Sequence, residues 1–492
     1  MATPRQTVCR AALAGLCLLS CYGARSSAAP GRPDPTAKPT RLARALSPKR
    51  NDDGTVTSTP RSRPRLSNVP PINSASSMPS SQPAGSVGGL IEDPSGHALD
   101  AFYASLRKVE QDRQGLTTVV QWGDSHTTAD VLTGTVRSQL QQRFGDAGPG
   151  FTLVGKPWRY YRHDHAKLSK RGLWRAERIH AYYSWRRGRR RPRDDFFGAA
   201  GVSTHTRWRA SATLAARRGT LSAVEIYYLR QRRGGRIAVR AARRRSRKGF
   251  AERGRLVRRI FTVSRRFKPG YARIELPPGT REVQLRTGGG EVRVFGVDLQ
   301  RDAPGVRYHA FGLDGAGANH ILKWNETLLA DHVRRLAPQL VLLAYGSNEV
   351  DSKTMTREGF AKMFDEVLQK IRRVSPGASC LVLGPPDQQR YDRELGSWKR
   401  PEKLDYVIAE QRRLAFKHGC GFWDWERAMG GRGSLQRWID AQPPLAKRDH
   451  VHFLVRGYRL LGKGLYRALM QRYKLYRIRT AARPAQKSVG AP

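Results

Sequence analysis

From about residue 90 the chain settles into short apolar runs whose period changes twice. Residues 98–111 place apolar side chains at helical intervals, and the β-branched run 117–122 (Thr-Thr-Val-Val-Gln-Trp) predicts a strand. Residues 127–144 return to helical spacing until Gly-Asp-Ala-Gly-Pro-Gly at 145–150 stops them. Between about 151 and 305 the texture differs. Six alternating runs (222–229, 236–239, 256–263, 272–276, 282–285 and 292–299) follow one another between Gly and Pro turns, with no amphipathic helix among them. That pattern predicts an all-β sandwich or jelly roll. Beyond it, fully apolar runs at 340–345 and 380–384 alternate with helical periodicity at 359–373, 403–418 and 458–473. Such alternation predicts a doubly wound parallel sheet covered on both faces. The expected architecture is therefore α/β, with residues 91–150 and 306–475 forming one domain that a β insertion at 151–305 interrupts. No internal repeat is found.

The two ends read differently. A short basic start is followed by the apolar stretch 11–20, well short of the roughly 20 residues that span a bilayer, and then by small residues. This order predicts an export signal over 1–29. Leu18-Leu19-Ser20-Cys21 is similar to a lipobox and would place a lipid on Cys21; Ser26-Ser27-Ala28-Ala29 offers an ordinary cleavage site instead. The expected destination is the periplasm or outer membrane, or the exterior. Residues 30–90, rich in Pro, Ser and Arg, are expected to form a disordered tether, and 476–492 a basic disordered tail. Only Cys380 and Cys420 remain outside the presumed signal, each opening an apolar run. Two separately buried thiols are the expectation, and a disulfide is open if those runs are neighbouring strands.

Charge changes the picture of one segment only. The formal net charge is +50, and residues 151–310 hold 41 Lys and Arg against 11 Asp and Glu. Arg-rich runs at 186–193 and 243–248 read most simply as solvated loops, yet they make the insertion a candidate for binding anionic polymers. Nucleic acid is set aside as a partner because export would remove it from reach.

In an open parallel sheet, functional groups collect at the carboxyl ends of strands. Gly123-Asp124-Ser125-His126 follows the first predicted strand, and Gly346-Ser347-Asn348-Glu349 follows the run at 340–345. Gly315 lies in a glycine-rich segment between them, and Asp449-His450-Val451-His452 precedes the last helix. Together these blocks resemble the SGNH/GDSL hydrolase family over residues 117–144 and about 306–473. Gly123-Asp124-Ser125 supplies the first block, with His126 where many members have Leu; Gly315 the second; Gly346-Ser347-Asn348 the third; Asp449 and His452 the last. The resemblance implies a flavodoxin-like doubly wound sheet and a serine esterase that needs no cofactor and no metal. A serine hydroxyl requires an adjacent base, which His452 would supply while Asp449 holds its tautomer. The oxyanion would be met by the backbone N–H groups of Ser125 and Gly315 and the side-chain amide of Asn348, with Gly123 and Asp124 supporting the nucleophile turn.

Simpler readings stand beside each residue. Asp124 could be only a helix cap, Asn348 a turn residue, and His126 and His450 structural or rim groups. Gly315-Ala316-Gly317 lacks the third glycine of a dinucleotide loop. A dinuclear metallophosphoesterase would use Asp124, His126, Asp146, His450 and His452, but it wants a histidine in the Gly346–Glu349 tetrad that is missing. A non-catalytic protein binding an anionic envelope polymer is a further alternative.

The inserted module makes the chain similar to bacterial O-acetylesterases and O-acetyltransferases of cell-wall polysaccharide. That implies an O-acylated glycan, peptidoglycan or exopolysaccharide, as partner and a carbohydrate-binding-like role for the insertion. Trp158, Tyr160, Tyr161, Trp174, Tyr182, Tyr183, Trp185 and Trp208 could stack on sugars, although core packing is the first expectation for any one of them. Hydrolysis and acetyl transfer are not separable here, since both pass through an acyl-serine.

Overall fold

The computed structural model describes residues 88–179, 194–243 and 254–482. The expected signal, Cys21, nearly all of the expected tether, Tyr182, Tyr183, Trp185, the Arg-rich run at 186–193 and most of that at 243–248 lie outside them. No helix among the described residues is long and apolar enough to cross a membrane.

Strand Leu116–Gly123 sits inside a six-stranded sheet, flanked by Gly305–Gly312 on one side and Leu340–Ala344 on the other, both parallel to it. Ser379–Leu383 and Gly421–Trp423 continue the sheet in parallel, and the two-residue strand Ile91–Glu92 closes its edge antiparallel. Numbered along the chain, the five parallel strands run 2-1-3-4-5, the flavodoxin-like order, with the switch between strands 1 and 3. Alternate residues serve opposite faces. Val119, Leu340 and Leu342 join one core with helices Asp100–Asp112, Leu132–Phe144 and Val455–Ala482. Val120, Trp122, Val341 and Leu343 join the other, under helices Glu326–Leu336, Arg357–Val374 and Lys403–Lys417. Strands buried on both faces have no polar side to show, hence their unbroken apolar runs.

The insertion is a two-sheet antiparallel sandwich, as expected, but larger than the sequence suggests. One sheet orders Arg255–Phe261, Arg236–Ala242, Glu282–Gly288, Ser211–Ala216 and Ala166–Arg171. The other orders Lys268–Glu275, Ala223–Arg230, Val292–Gln300, Val202–Thr206 and Arg175–Arg178. The additional strands are short and rich in Ala, Ser, Thr and Arg, so hydrophobic alternation does not mark them. Leu214, Ile226, Val239, Leu285 and Val294 fill the space between the sheets. The second sheet also packs outward onto the parallel domain: Phe151 and Tyr227 join the core of Trp122 and Phe311. The Phe151 and Phe311 rings meet edge to face at 5.1 Å, and the Trp122 indole N–H donates to Ala199 O at 2.8 Å. The module is thus fused to the sheet through a shared core.

Three expectations need correction. The helix expected over 127–144 is two pieces, Ser125–Thr128 and Leu132–Phe144, because Asp130 adopts φ +44° and turns its carboxylate inward. That carboxylate receives the Arg137 guanidinium at 3.0 Å, the Thr133 hydroxyl and the Asp164 N–H. The tail expected from 476 is still helical to Ala482. Cys380, on strand Ser379–Leu383, and Cys420, just before the adjacent strand Gly421–Trp423, have Cα atoms 4.5 Å apart and form a disulfide rather than two thiols.

Candidate active site

Strands Leu116–Gly123 and Leu340–Ala344 end side by side, Gly123 opposite Ala344, at the topological switch point. The chain there turns abruptly. A Cβ on Gly123 would lie 2.1 Å from Thr127 Oγ1 and 2.8 Å from Ala344 O, so only glycine fits. Asp124 caps the helical turn Ser125–Thr128, its carboxylate accepting the His126 N–H at 2.9 Å. This presents Ser125 at the first position of the turn.

His452 arrives from the opposite end of the sequence. Asp449 shapes its loop with one oxygen, which accepts the N–H groups of Val451 (3.1 Å) and His452 (2.8 Å). The other oxygen lies 2.9 Å from His452 Nδ1, and His452 Nε2 lies 2.9 Å from Ser125 Oγ. One aspartate therefore orients both the backbone and the ring of the histidine. Burial works against its charge, but the His452 ring and the two N–H groups win and hold the carboxyl well below its usual range.

The remaining blocks meet at the same edge. Gly315 takes φ +75° and is exposed, with nothing within 4 Å of where a Cβ would stand. Its loop is tied to the strand that precedes Ser125 by the Leu313 N–H, which donates to Gly123 O at 2.9 Å. The Asn348 side-chain amide donates to Ala316 O at 2.9 Å, which leaves a second N–H on the same nitrogen. The structure thus brings Ser125, His452 and Asp449 into hydrogen-bonding line, and joins the Gly315 loop to Asn348 beside them.

Sequence reasoning missed one support and left another undecided between a structural and a rim role. Glu349 is buried behind Asn348, one oxygen accepting the Ala318 N–H at 2.7 Å and the other the Gly346 N–H at 3.0 Å. Burial raises its carboxyl, and with Asp314 it helps push buried Asp124 up to about 8, burial again being the larger cause. The acidic residue after Gly-x-Asn was the available signal. His126 is the second: fully buried, it shares a 3.0 Å hydrogen bond with the Tyr458 hydroxyl and packs 5.4 Å from the His452 ring. Burial holds its pKa well below the ordinary value, so a neutral ring packs behind His452.

The metal alternative does not assemble. Asp146 pairs with Arg301, and His450 stacks on Trp398. Among the described residues no group of three or more His, Cys, Asp or Glu is placed to hold an ion. Of the described aromatic candidates in the insertion, Trp158 and Trp174 are buried, whereas Tyr160 and Trp208 are exposed.

Comparison with known proteins agrees with this geometry. Residues 279–460 match the model of the GDSL-like lipase/acylhydrolase family, a span that contains Gly315, Asn348, Asp449 and His452 and begins after Ser125. A solved structure described as a peptidoglycan O-acetylesterase in action is 23% identical, with a TM-score of 0.63. The match covers 78% of this chain and 99% of that one, so the likeness of fold includes the insertion. A lipase/acylhydrolase from Enterococcus faecalis (18% identical, 34% of this chain and 77% of that one, TM-score 0.27) is also similar. So is an acetyl xylan esterase (20%, 33% and 81%, TM-score 0.27). No curated protein matches the chain.

Proposed function

Since the chain carries a GDSL-like acylhydrolase domain and is an ester hydrolase, we propose that it is exported and removes O-acetyl or other short acyl groups from a cell-envelope glycan. The observation that carries the reading is the line of hydrogen bonds from Asp449 through His452 to Ser125. His452 Nε2 takes the hydroxyl proton as Ser125 Oγ attacks the ester carbonyl. Asp449 stabilises the imidazolium that results. The Ser125 and Gly315 N–H groups and the free N–H of the Asn348 amide receive the oxyanion, in a region where each such donor is worth about 100- to 1000-fold in turnover. Collapse expels the sugar hydroxyl, protonated by His452, and leaves acyl-Ser125. Water then repeats the sequence and frees the acid.

The glycan is supported by a fold shared with a peptidoglycan O-acetylesterase across both the catalytic part and the insertion. Export rests on the order of the first 29 residues, with lipidation at Cys21 as its anchored form. The insertion presents a cavity of about 510 Å³ lined by Arg171, Arg209, Arg236 and Arg286, suited to an anionic envelope polymer. Such binding weakens as salt rises, because exposed charges are screened beyond about 8 Å at physiological ionic strength.

The test is acetate release by the mature protein from an activated acetyl ester and from O-acetylated peptidoglycan, beside Ser125→Ala. Activity on neither ester, or equal activity in the variant, refutes the reading. Acetyl groups appearing on an added glycan acceptor would assign transfer in place of hydrolysis.

A further inference from the structure

Beside the catalytic loop stands a hairpin formed by Arg390–Asp392 and Ser397–Lys399. Tyr391 and Trp398 face each other across it, in register, so both side chains project from one face. Their rings meet edge to face at 5.5 Å, yet they remain 53% and 40% exposed. Two strands of three residues have no core of their own to build, so these aromatics are not there to fill one.

The hairpin is nevertheless fixed to both halves of the site. The Trp398 indole lies flat on the His450 imidazole, centroids 3.7 Å apart and planes within 9°. His450, held at φ +58°, is two residues before His452. Gln389, at the root of the hairpin, donates its N–H to His450 O at 2.9 Å and approaches His450 Nδ1 with Oε1 at 2.6 Å. On the other side Gln388 donates to Ser347 O at 3.2 Å, and Ser347 immediately precedes Asn348. Arg390 pairs with Asp351 at 2.5 Å, and Arg400 with Asp387 at 3.0 Å, so both strands are anchored. The result is an exposed aromatic shelf whose position is set by the same loops that set the base and the amide of Asn348.

We infer that Tyr391 and Trp398 form a pyranose-binding subsite, against which a sugar ring of the substrate chain stacks while its acyl group reaches Ser125. A pyranose offers an apolar C–H face to an aromatic plane, and a preset shelf lets the polymer bind without first ordering the hairpin. The proposal rests on the glycan reading above. An interfacial membrane hairpin would also expose aromatic residues, and Leu395 at the tip is 58% exposed. A membrane anchor, however, gives no reason to pin its tryptophan onto the loop of the catalytic base.

The test compares wild type, Tyr391→Ala and Trp398→Ala on 4-nitrophenyl acetate and on O-acetylated peptidoglycan. The ratio of kcat/KM for glycan over small ester should fall at least about five-fold in each variant, through KM. Tyr391 does not carry the His450 stack, which guards against a folding artefact in Trp398→Ala. A ratio that stays constant, with both substrates equally slowed, overturns the subsite in favour of a prop for His450. Loss of sedimentation with anionic phospholipid vesicles, the ratio unchanged, overturns it in favour of a membrane contact. A second measurement separates this inference from the glycan reading. β-1,4-linked N-acetylglucosamine oligomers titrated into Ser125→Ala should bind at least about five-fold more weakly once Trp398→Ala is added. If wild type cleaves the small ester but no acetylated glycan, the glycan reading fails while this titration still decides the shelf. Equal binding overturns it.

Discussion

Glu349 accepts the Ala318 backbone N–H at 2.7 Å, and so clamps the loop that carries Gly315 to the turn that carries Asn348. Its second oxygen takes the Gly346 N–H. Glu349→Gln keeps one acceptor but turns the other into an amide N–H2 that faces a donor. A buried donor left without a partner costs about 1–3 kcal/mol, and the loop must shift to avoid it. Displacing an oxyanion donor by about 1 Å is worth about 100-fold. The expected result is a kcat lower by about 10- to 100-fold with KM for a small acetyl ester nearly unchanged, read by steady-state kinetics. A change confined to KM would show that the clamp serves binding and not the oxyanion.

Ser125 Oγ and His452 Nε2 lie 2.9 Å apart, and on the proposed mechanism they act as one unit, so their effects should be non-additive. Ser125→Ala and His452→Ala should each lower kcat on 4-nitrophenyl acetate by about 10⁴-fold or more, and the double variant should be no worse than either. Asp449→Asn should lose about 10³- to 10⁴-fold, because the amide favours the wrong tautomer of His452. Additive losses would mean that the two residues do not share a transition state.

Much of this was legible before the fold because the strands that carry the site are buried on both faces. Runs such as 340–344 have no polar alternation to confuse, and the tetrads that follow them break the pattern sharply. The order of the blocks also placed Ser125, Asn348, Asp449 and His452 on one edge. What the sequence hid depends on partners far along the chain. Strands Val202–Thr206 and Ser211–Ala216 each pair with a longer, more apolar strand, Val292–Gln300 and Glu282–Gly288, that lies about 70 to 90 residues further along the chain. The short aromatic strand Ser397–Lys399 reads as loop until His450 lies under Trp398. The Cys380–Cys420 pairing follows from strand order, which apolar runs do not specify.

Asp130 is the sharpest case, since helical periodicity runs straight through it. Its carboxylate neutralises Arg137, whose side chain has no solvent exposure, and the Arg137 guanidinium holds that carboxyl below the usual range despite burial. Asp130→Ala leaves the guanidinium buried and unpaired, which costs about 3–5 kcal/mol. Urea unfolding should show that loss, and Asp130→Ala with Arg137→Met should recover a large part of it. No recovery in the double variant would mean that the bent backbone at Asp130, rather than the charge pair, sets the stability.

The Cys380–Cys420 disulfide closes a loop of 40 residues. On the chain-entropy account such a loop is worth about 4 kcal/mol. Dithiothreitol should lower the urea midpoint of wild type, while leaving that of Cys380→Ala/Cys420→Ala unmoved. Equal midpoints in all four samples would exclude a stabilising bond.

Asp124 makes stability depend on pH in a direction opposite to most carboxylates. Burial, then the nearby Glu349 and Asp314, push it up to about 8, whereas the unfolded chain releases this proton near the ordinary value of 3.8. Between those values the folded state holds one more proton than the unfolded state, so stability falls as pH rises and levels off above about 8. Buried His163, His309 and His332, lowered by burial to about 3, 4 and 3, act on the acid side. They cost stability as pH falls below 6.5 and add no pH dependence above it. Asn is the neutral counterpart of protonated Asp and can still accept the His126 N–H. Asp124→Asn should therefore gain on wild type from pH 6.5 to 8, by up to about 1.4 kcal/mol per pH unit. Urea unfolding of both proteins at pH 6.5, 7.5 and 8.5 measures the difference. A gap that does not widen with pH would show that Asp124 is already ionised in the folded protein.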